Sequence, residues 1–322
     1  MLINFKLQNY KSFQSENILD LETTDLEDKD YVISSKYTDI LPVISIFGAN
    51  DSGKTNLIDA FKFVKEMVTH DRYIDKIPVE PFSFDKYSEF DTTKFEFVFV
   101  KDNIQYIYGF ILNHKYIYNE YLYEINANRR KLIFLRDVDG VTFEEKGDLE
   151  LGKSIQNNIE DNELFLPIAS RNNYKPCQNP FKWFCEDLII YEHIDDNIFT
   201  VGRVKGQTRF NRLADKINNI MKMGGILIID MIEKDLHPLL VENLMNKFLD
   251  KKININSAQL IFTTHNVDIL ARKLLRKDQI YFINKEDMSS ELYSLSDFIN
   301  VENTDSYYIS YMLGKYDAIP DI

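Results

Sequence analysis

Apolar residues alternate with polar ones over residues 2–7, which predicts a β-strand near the start of the chain. The run Val43–Phe47 is short, apolar and rich in β-branched residues, as expected of a buried parallel strand. Behind it, apolar residues recur at helical spacing from Lys54 to Thr69. Later in the chain, strand and helix signals alternate, which indicates a mostly parallel sheet. These segments are the strands Ile226–Ile229, Gln259–Thr263 and Gln279–Ile283 and the helices Leu239–Leu249 and Val267–Leu275.

A β-rich segment separates these two α/β regions. Aromatic and aliphatic residues alternate with polar ones over residues 94–144, and Asp102-Asn103 and Asp139-Gly140 are hairpin-turn signals. The polar partners are not basic, so the aromatic stripe is more typical of a sheet core than of a base-stacking surface. We therefore expect an α/β fold whose mostly parallel sheet is split by a β-rich lobe.

Less regular segments follow this lobe. Residues 145–165 are polar and acidic, which predicts a loop or a solvated helix. The pattern of Phe181–Tyr191 predicts a helix, whereas residues 195–212 show only a weak pattern. The expected division is a discontinuous head of residues 1–70 and 213–322, with an inserted lobe of residues 71–212 that ends in a short helical segment.

The clearest chemical signal is the glycine-rich run Gly48–Thr55, which follows the pattern G-x-x-x-x-G-K-T of a phosphate-binding P-loop. It lies between a predicted strand and a predicted helix, as the motif requires. Backbone N–H groups of such a loop surround phosphate oxygens, the lysine neutralises them and the threonine hydroxyl holds Mg²⁺. The expected cofactors are ATP and Mg²⁺. The predicted cofactor-binding residues are Gly48, Asn50, Asp51, Ser52, Gly53, Lys54, Thr55 and Asn56.

Two later strands end in polar residues at what should be the same sheet edge. Asp230 follows four aliphatic residues, and an aspartate at such a position holds Mg²⁺ together with the P-loop hydroxyl. We therefore predict Thr55 and Asp230 as the metal ligands. His265 follows the strand Gln259–Thr263 and can reach a γ-phosphate, although a histidine at a strand end is more often structural.

Composition limits the function classes. The chain has 322 residues, a net charge of −13 and a pI near 5.0, which argues against a generally basic, nucleic-acid-coating surface. Its two cysteines suggest neither a disulfide framework nor a metal site. No apolar run approaches the length of a transmembrane helix, which is about 18 residues. We expect a cytoplasmic protein without a membrane partner.

The motif set resembles a known family. Gly48–Asn56 is similar to the P-loop of ABC-type ATPases of the structural-maintenance-of-chromosomes and recombination branch. Asp230–Pro238 resembles their Walker B segment and dimer-contact loop, and His265 falls on their switch histidine. The opening Asn9–Phe13 resembles their first strand. The terminal Gly314–Pro320 resembles the chain end of AAA-type ATP-binding proteins from bacterial abortive-infection and phage-defence operons.

This resemblance implies two heads that dimerise around two ATP molecules, each site being completed by a signature Ser-x-Gly of the partner. It also implies a catalytic glutamate directly after the Walker B aspartate. The chain differs from the family pattern at both places. Met231 follows Asp230 where the family has glutamate, and within Arg203–Arg209 Val204 occupies the position of the signature serine. Methionine cannot act as a general base. His265 and Glu233 are therefore the candidate catalytic residues, with a structural role as the alternative for Glu233.

Three functions follow as hypotheses. The leading one is an ATP-gated switch that dimerises, or forms a higher homo-oligomer, and controls a protein effector such as a nuclease, with slow hydrolysis. The second is a DNA-repair-type ATPase that acts directly on DNA, which the acidic charge does not support. The third is another P-loop class, a kinase or a GTPase. A GTPase would carry an Asn-Lys-x-Asp motif that reads guanine, and our interpretation of the sequence is that none is present.

Overall fold

The structure of the protein is a computed structural model that describes residues 1–24, 32–70, 76–85, 88, 91–126, 129–143, 149–156, 159–191, 204–299, 301 and 306–319, with only the backbone described at 149 and 204–212. The described strands are β1 (Leu2–Gln8), β2 (Asn17–Asp20), β3 (Ile33–Ser34), β4 (Asp39–Ile40), β5 (Val43–Phe47), β6 (Thr93–Lys101), β7 (Ile104–Leu112), β8 (Ile117–Asn126), β9 (Arg129–Asp137), β10 (Gly140–Thr142), β11 (Leu188–Tyr191), β12 (Ile226–Ile229), β13 (Gln259–Thr263), β14 (Ile280–Glu286) and β15 (Ser289–Ser294). The described helices are α1 (Lys54–Thr69), α2 (Leu149–Gln156), α3 (Phe165–Arg171), α4 (Lys175–Lys182), α5 (Val204–Met223), α6 (Pro238–Leu249), α7 (Asp268–Ala271) and α8 (Tyr307–Met312).

The central sheet is mostly parallel. Its described strands follow the order β11-β12-β13-β5-β14-β15, and only β15 runs antiparallel to its neighbour. The strand β5 is buried at all five positions, as its uninterrupted apolar pattern predicts. Because β5, β12 and β13 are parallel, their carboxyl ends share one edge, where the P-loop begins. The predicted α/β fold with a mostly parallel sheet is confirmed.

A second, antiparallel sheet forms the β-rich lobe. Its described strands follow the order β10-β9-β8-β7-β6-β1-β2. Two residues of the aromatic stripe predicted as core, Tyr116 and Tyr118, are 46% and 36% exposed, so the prediction is wrong for them. The six aromatic residues of the stripe on β6 and β7 are buried, each at most 3% exposed. These residues are Phe95, Phe97, Phe99, Tyr106, Tyr108 and Phe110. The strand β1 pairs with β6 and so lies inside this sheet, although the expected domain division assigns it to the head. No comparison tests that division, which stays a prediction.

Helix α1 fills the space between the two sheets. The ring of Phe61 lies 4.1 Å from that of Phe5 and 5.7 Å from that of Phe97, so α1 packs on the lobe as well as on the parallel sheet. A second core covers the other face of the parallel sheet with residues of α6 and α8. The P-loop helix is thereby held between both sheets, and burial of its apolar face fixes the loop that precedes it.

Several local predictions need correction. The chain does not continue as a helix through Tyr191: a short π-helix spans Trp183–Asp187 and the strand β11 follows. A run of four apolar residues is compatible with either structure, and parallel pairing with β12 decides for a strand. The weakly patterned residues 204–212 belong to the long helix α5, whereas residues 195–203 lie outside the described part. The helix predicted over Val267–Leu275 is only the short α7.

A buried carboxylate joins the lobe to the segment after it. Glu120 of β8 is fully buried and accepts hydrogen bonds from the backbone N–H groups of Phe165 and Leu166, at 2.5 and 2.9 Å, and from the Tyr108 hydroxyl at 3.0 Å. Burial raises the pKa of Glu120, and Arg136 and these donors oppose that rise. The carboxylate satisfies N–H groups at the start of α3 that have no partner within the helix.

No helix of the described ranges has both the length and the hydrophobicity that a membrane crossing requires.

Candidate functional site

The P-loop closes tightly between β5 and α1. A Cβ atom at Gly48 would lie 2.4 Å from the carbonyl oxygen of Ile283, and one at Gly53 would lie 2.3 Å from the Ser290 hydroxyl. Gly53 also adopts a φ of 114°, which favours glycine. Both glycines of the motif are therefore required by the fold. The loop leads into the amino end of α1, which has no side-chain cap and so presents free N–H groups and a positive dipole.

Lys54 points back into this loop. Its ammonium donates hydrogen bonds to the carbonyl oxygens of Gly48 and Ala49, at 2.8 and 2.6 Å. Burial lowers the pKa of Lys54 to about 8, although Asp230 and Glu233 nearby act to raise it. A buried ammonium with only neutral carbonyl partners is poorly compensated, which suits a group that meets phosphate.

The two predicted metal ligands meet at the sheet edge. The Thr55 hydroxyl lies 3.0 Å from Oδ2 of Asp230, and the Thr263 hydroxyl donates to Oδ1 at 2.6 Å. Hydroxyl and carboxylate oxygens are ligands that Mg²⁺ prefers. Among the described residues, no three His, Cys, Asp or Glu side chains cluster as a metal site. An ion here would complete its shell with phosphate oxygens and water, as Mg²⁺ commonly does, and the assignment of its ligands stays a prediction.

Glu233 and His265 also lie beside the P-loop. The Glu233 carboxylate accepts hydrogen bonds from the Thr264 hydroxyl and from the His265 backbone N–H, both at 2.8 Å. It thereby fixes the turn that carries His265. Burial and the charge of Lys54 lower the pKa of His265, while Glu233 and a hydrogen bond to the Gly48 carbonyl oppose this. The imidazole is consequently neutral near pH 7. The catalytic roles of both residues stay predictions.

Met231 occupies the position directly after Asp230. Its backbone is left-handed, with a φ of 46°, and its N–H donates to the Thr263 hydroxyl at 2.7 Å. The thioether there offers no general base. The signature-like stretch Arg203–Arg209 begins outside the described residues and continues through positions whose side chains are not described, so its role stays a prediction.

Three contacts to the P-loop were not anticipated from the sequence. The Ser290 hydroxyl lies 2.6 Å from the Ser52 carbonyl oxygen and 2.7 Å from the Ser12 hydroxyl, to which the Asn56 amide donates at 2.8 Å. Lys285 lies 3.3 Å from the Asp51 carboxylate. These partners come from β15, β14 and the turn after β1, so they meet the loop only through the fold.

The sequence interpretation that no guanine-reading motif occurs was wrong, because residues 284–287 read Asn-Lys-Glu-Asp. In the structure they run from β14 into the tight turn before β15, where Asp287 has a φ of 47°. Asn284, Lys285 and Glu286 line a cleft beside the P-loop, whereas Asp287 lines a separate neighbouring cleft. The pattern is thus present, but its aspartate does not share the cleft that the P-loop borders.

Comparison with known proteins places this site in a family. Residues 43–148 and 213–271, which together make up just over half of the chain, match the family model described as "AAA domain, putative AbiEii toxin, Type IV TA system". Among solved structures, the SMC head domain from Thermotoga maritima is similar, with 16% identity, a TM-score of 0.40, and coverage of 91% of this chain and 98% of that one. No protein with a curated function matches the chain.

Proposed function

Because the chain belongs to this AAA-domain family of P-loop ATPases, we propose that it binds ATP–Mg²⁺ and acts as a nucleotide-gated switch that controls a partner effector in bacterial defence. The observation that carries the proposal is the convergence of Lys54, Thr55 and Asp230 at the uncapped amino end of α1. Ammonium, hydroxyl and carboxylate are the groups that a magnesium–triphosphate complex needs, and elements distant in sequence bring them together.

Binding requires a local exchange of partners. The backbone N–H groups of the P-loop would hold the triphosphate, and Lys54 would exchange the carbonyl oxygens of Gly48 and Ala49 for phosphate oxygens. Thr55 and Asp230 would hold Mg²⁺, and Thr263 orients the Asp230 carboxylate for it. The ammonium would exchange uncharged carbonyl acceptors for anionic phosphate oxygens, and this gain of an opposite charge favours the exchange.

Hydrolysis is slow in this proposal. The residue after Asp230 is Met231, and both oxygens of Glu233 are already engaged in holding the His265 turn. General-base catalysis typically contributes about 10²–10⁴-fold to a rate. Without a general base the hydrolysis rate would lack this contribution, whereas the groups that bind ATP–Mg²⁺ are present. His265, neutral and beside Lys54, senses the γ-phosphate.

The switch acts through a dimer of two copies. Leu239 and Leu240 follow the Asp230–Pro238 segment directly and are 60% and 42% exposed. His237 caps the amino end of α6, and its ring nitrogen Nδ1 accepts a hydrogen bond from the Leu239 N–H at 3.3 Å. An exposed apolar pair on a fixed helix start, near the P-loop edge, supports a contact surface that nucleotide binding completes.

The effector is a separate protein, such as a nuclease. The family description names a toxin of toxin–antitoxin systems, which supports a role that involves a second gene product. Motifs of an effector chemistry are not evident in the sequence, whereas the nucleotide-binding set is complete. Control of a partner is therefore the function that such a set serves best.

The test measures ATP binding and ATP turnover on the same preparation. The unmodified protein, Lys54→Ala and Met231→Glu are compared by calorimetry and by phosphate release. We expect Lys54→Ala to bind ATP–Mg²⁺ at least about tenfold more weakly. We expect Met231→Glu to bind normally and to hydrolyse at least about 10²-fold faster than the unmodified protein.

Met231→Leu is the matched control, because it changes the same side chain without adding a carboxylate. Rapid turnover by the unmodified protein that disappears in Lys54→Ala would show that another residue supplies the base. Equal ATP affinity of the unmodified protein and Lys54→Ala would contradict the proposal that ATP binds at the P-loop.

A further inference from the structure

A cleft of about 1020 Å³ opens beside the P-loop, on the far side of β5 from Asp230 and His265. One wall is the P-loop itself, residues 49–52. The β14–β15 hairpin and the C-terminal segment 314–319 form the other walls. Pockets for small molecules commonly have volumes of about 300–1,000 Å³, so the cleft has room for a nucleoside.

The C-terminal wall is firmly attached. Tyr316 is buried, and its ring lies 5.2 Å from that of Phe282 and 5.3 Å from that of Phe298. The Tyr293 hydroxyl donates to the Tyr316 carbonyl oxygen at 2.6 Å, and the Tyr311 hydroxyl donates to that of Ala318 at 2.9 Å. A wall held by aromatic packing and by hydrogen bonds from two tyrosine hydroxyls is preformed, and a preformed site loses less entropy on binding a ligand.

One P-loop group at this cleft lacks a partner. Ser52, which lines the cleft, is only 3% exposed, and its hydroxyl forms no hydrogen bond with any of the described groups. A buried hydroxyl without a hydrogen bond is unfavourable, so a ligand atom is its natural partner. This hydroxyl connects the phosphate-binding loop to the cleft.

We infer that the base and ribose of the bound nucleotide occupy this cleft, against the C-terminal segment. The inference rests on the proposed function. Asp230 and His265 fix the γ-phosphate end over β12 and β13, so the nucleoside leaves the P-loop towards β14, where the cleft lies. The C-terminal segment is therefore part of the nucleotide site.

The charge of the cleft agrees with this occupant. Asp51, Glu286, Glu291 and Asp317 line it, with Lys285 as the basic group among its lining residues. Carboxylates repel additional phosphate groups but accept hydrogen bonds from ribose hydroxyls and base amino groups. An uncharged, donor-rich nucleoside fits such a lining, and a second polyphosphate does not.

Tripolyphosphate separates the two parts of the site, because it fills the P-loop without reaching the cleft. Affinities for ATP–Mg²⁺, GTP–Mg²⁺ and tripolyphosphate–Mg²⁺ are measured for the unmodified protein, Asp317→Asn and Glu291→Trp. Asp317→Asn removes a hydrogen-bond acceptor, and Glu291→Trp fills the cleft from an exposed strand position that tolerates an aromatic residue. We expect each variant to lower the affinity for at least one of the two nucleotides about five- to tenfold relative to its affinity for tripolyphosphate.

Asp139→Asn, the same charge change in the distant β9–β10 turn, is the matched control and should leave all three affinities unchanged. Nucleotide affinities that track tripolyphosphate affinity in every variant would overturn the inference, as would equal affinity of the unmodified protein for ATP, GTP and tripolyphosphate. Loss of tripolyphosphate binding in Lys54→Ala tests the proposed function separately, so a failure of the inference can be distinguished from a failure of the proposed function.

Discussion

Lys54 shows how burial and function oppose one another at the scale of a single residue. The side chain is only 3% exposed and its partners are the carbonyl oxygens of Gly48 and Ala49, so these contacts stabilise its charged form poorly. A bound phosphate would replace those carbonyls with full negative charge. The residue is therefore set to gain stability when the ligand arrives.

The lowered pKa of Lys54, about 8, predicts a pH dependence of ATP binding. The phosphates bind the ammonium form, so above pH 8 binding must first restore a proton to Lys54. We expect the affinity for ATP–Mg²⁺ to be constant below this pH and to fall above it by up to about tenfold per pH unit. Calorimetry between about pH 6.5 and 9.5 measures this profile.

Lys54→Arg is the control for that profile. A guanidinium stays charged far above pH 8, so this variant should bind with a flat pH dependence, even if more weakly. If the unmodified protein is as flat as Lys54→Arg, then a different group sets the affinity.

Residues of the site differ in how far the sequence could reveal them. The P-loop is a contiguous motif, and Asp230 and His265 each end an apolar strand, so all three can be found locally. Ser12 and Ser290 lie 278 positions apart and meet at 2.7 Å because β1 and β15 are brought together by the fold. Lys285 reaches Asp51 in the same way. Contacts of this kind carry no periodicity that a single sequence could show.

At the scale of elements, the sequence predicts those helices and strands whose pattern of apolar residues fits only one type of secondary structure. The fully apolar β5 and the amphipathic α1 were predicted with the bounds that the structure shows. The segment Leu188–Tyr191 was predicted as helix because its apolar residues fit either period, and only pairing with β12 decides for a strand. Tertiary pairing, which follows from the whole chain, overrides such ambiguous local signals.

One buried side chain connects the two sheets. Gln259, at the start of β13, is fully buried; its Oε1 accepts a hydrogen bond from the Leu2 N–H at 2.6 Å, and its amide donates to the carbonyl oxygens of Leu2 and Leu41. Gln259→Leu would leave these backbone groups buried without a partner. We expect a loss of about 2–4 kcal/mol in the free energy of unfolding, measured by urea denaturation.

Gln8→Leu, an exposed glutamine at the end of β1, serves as the comparison and should change the stability by less than about 0.5 kcal/mol. Similar effects of both substitutions would mean that Gln259 contributes no more than a surface side chain, and that packing alone holds the sheets together.

At the scale of the whole molecule, one segment of the chain connects the P-loop edge to the exposed leucines of α6. The segment from Asp230 to His237 runs from the carboxyl end of β12 into the start of α6, so a change at the nucleotide is close to Leu239 and Leu240 along the chain. Glu233 links the same segment to the His265 turn. Such a connection gives the nucleotide a direct physical route to a contact surface between two copies.

Leu239→Asp tests whether this surface mediates dimerisation. Light scattering after size exclusion should show that ATP–Mg²⁺ converts the unmodified protein from monomer to dimer, because the phosphates complete the contact surface. Leu239→Asp should stay monomeric with unchanged ATP affinity, since a carboxylate cannot be buried in an apolar contact without a partner. Ile255→Asp is the control: Ile255 is 73% exposed and precedes β13, at the opposite end of the parallel strands from the P-loop. If both variants dimerise like the unmodified protein, the surface around Leu239 takes no part in assembly. A monomer under all conditions would refute the dimeric switch while leaving nucleotide binding intact.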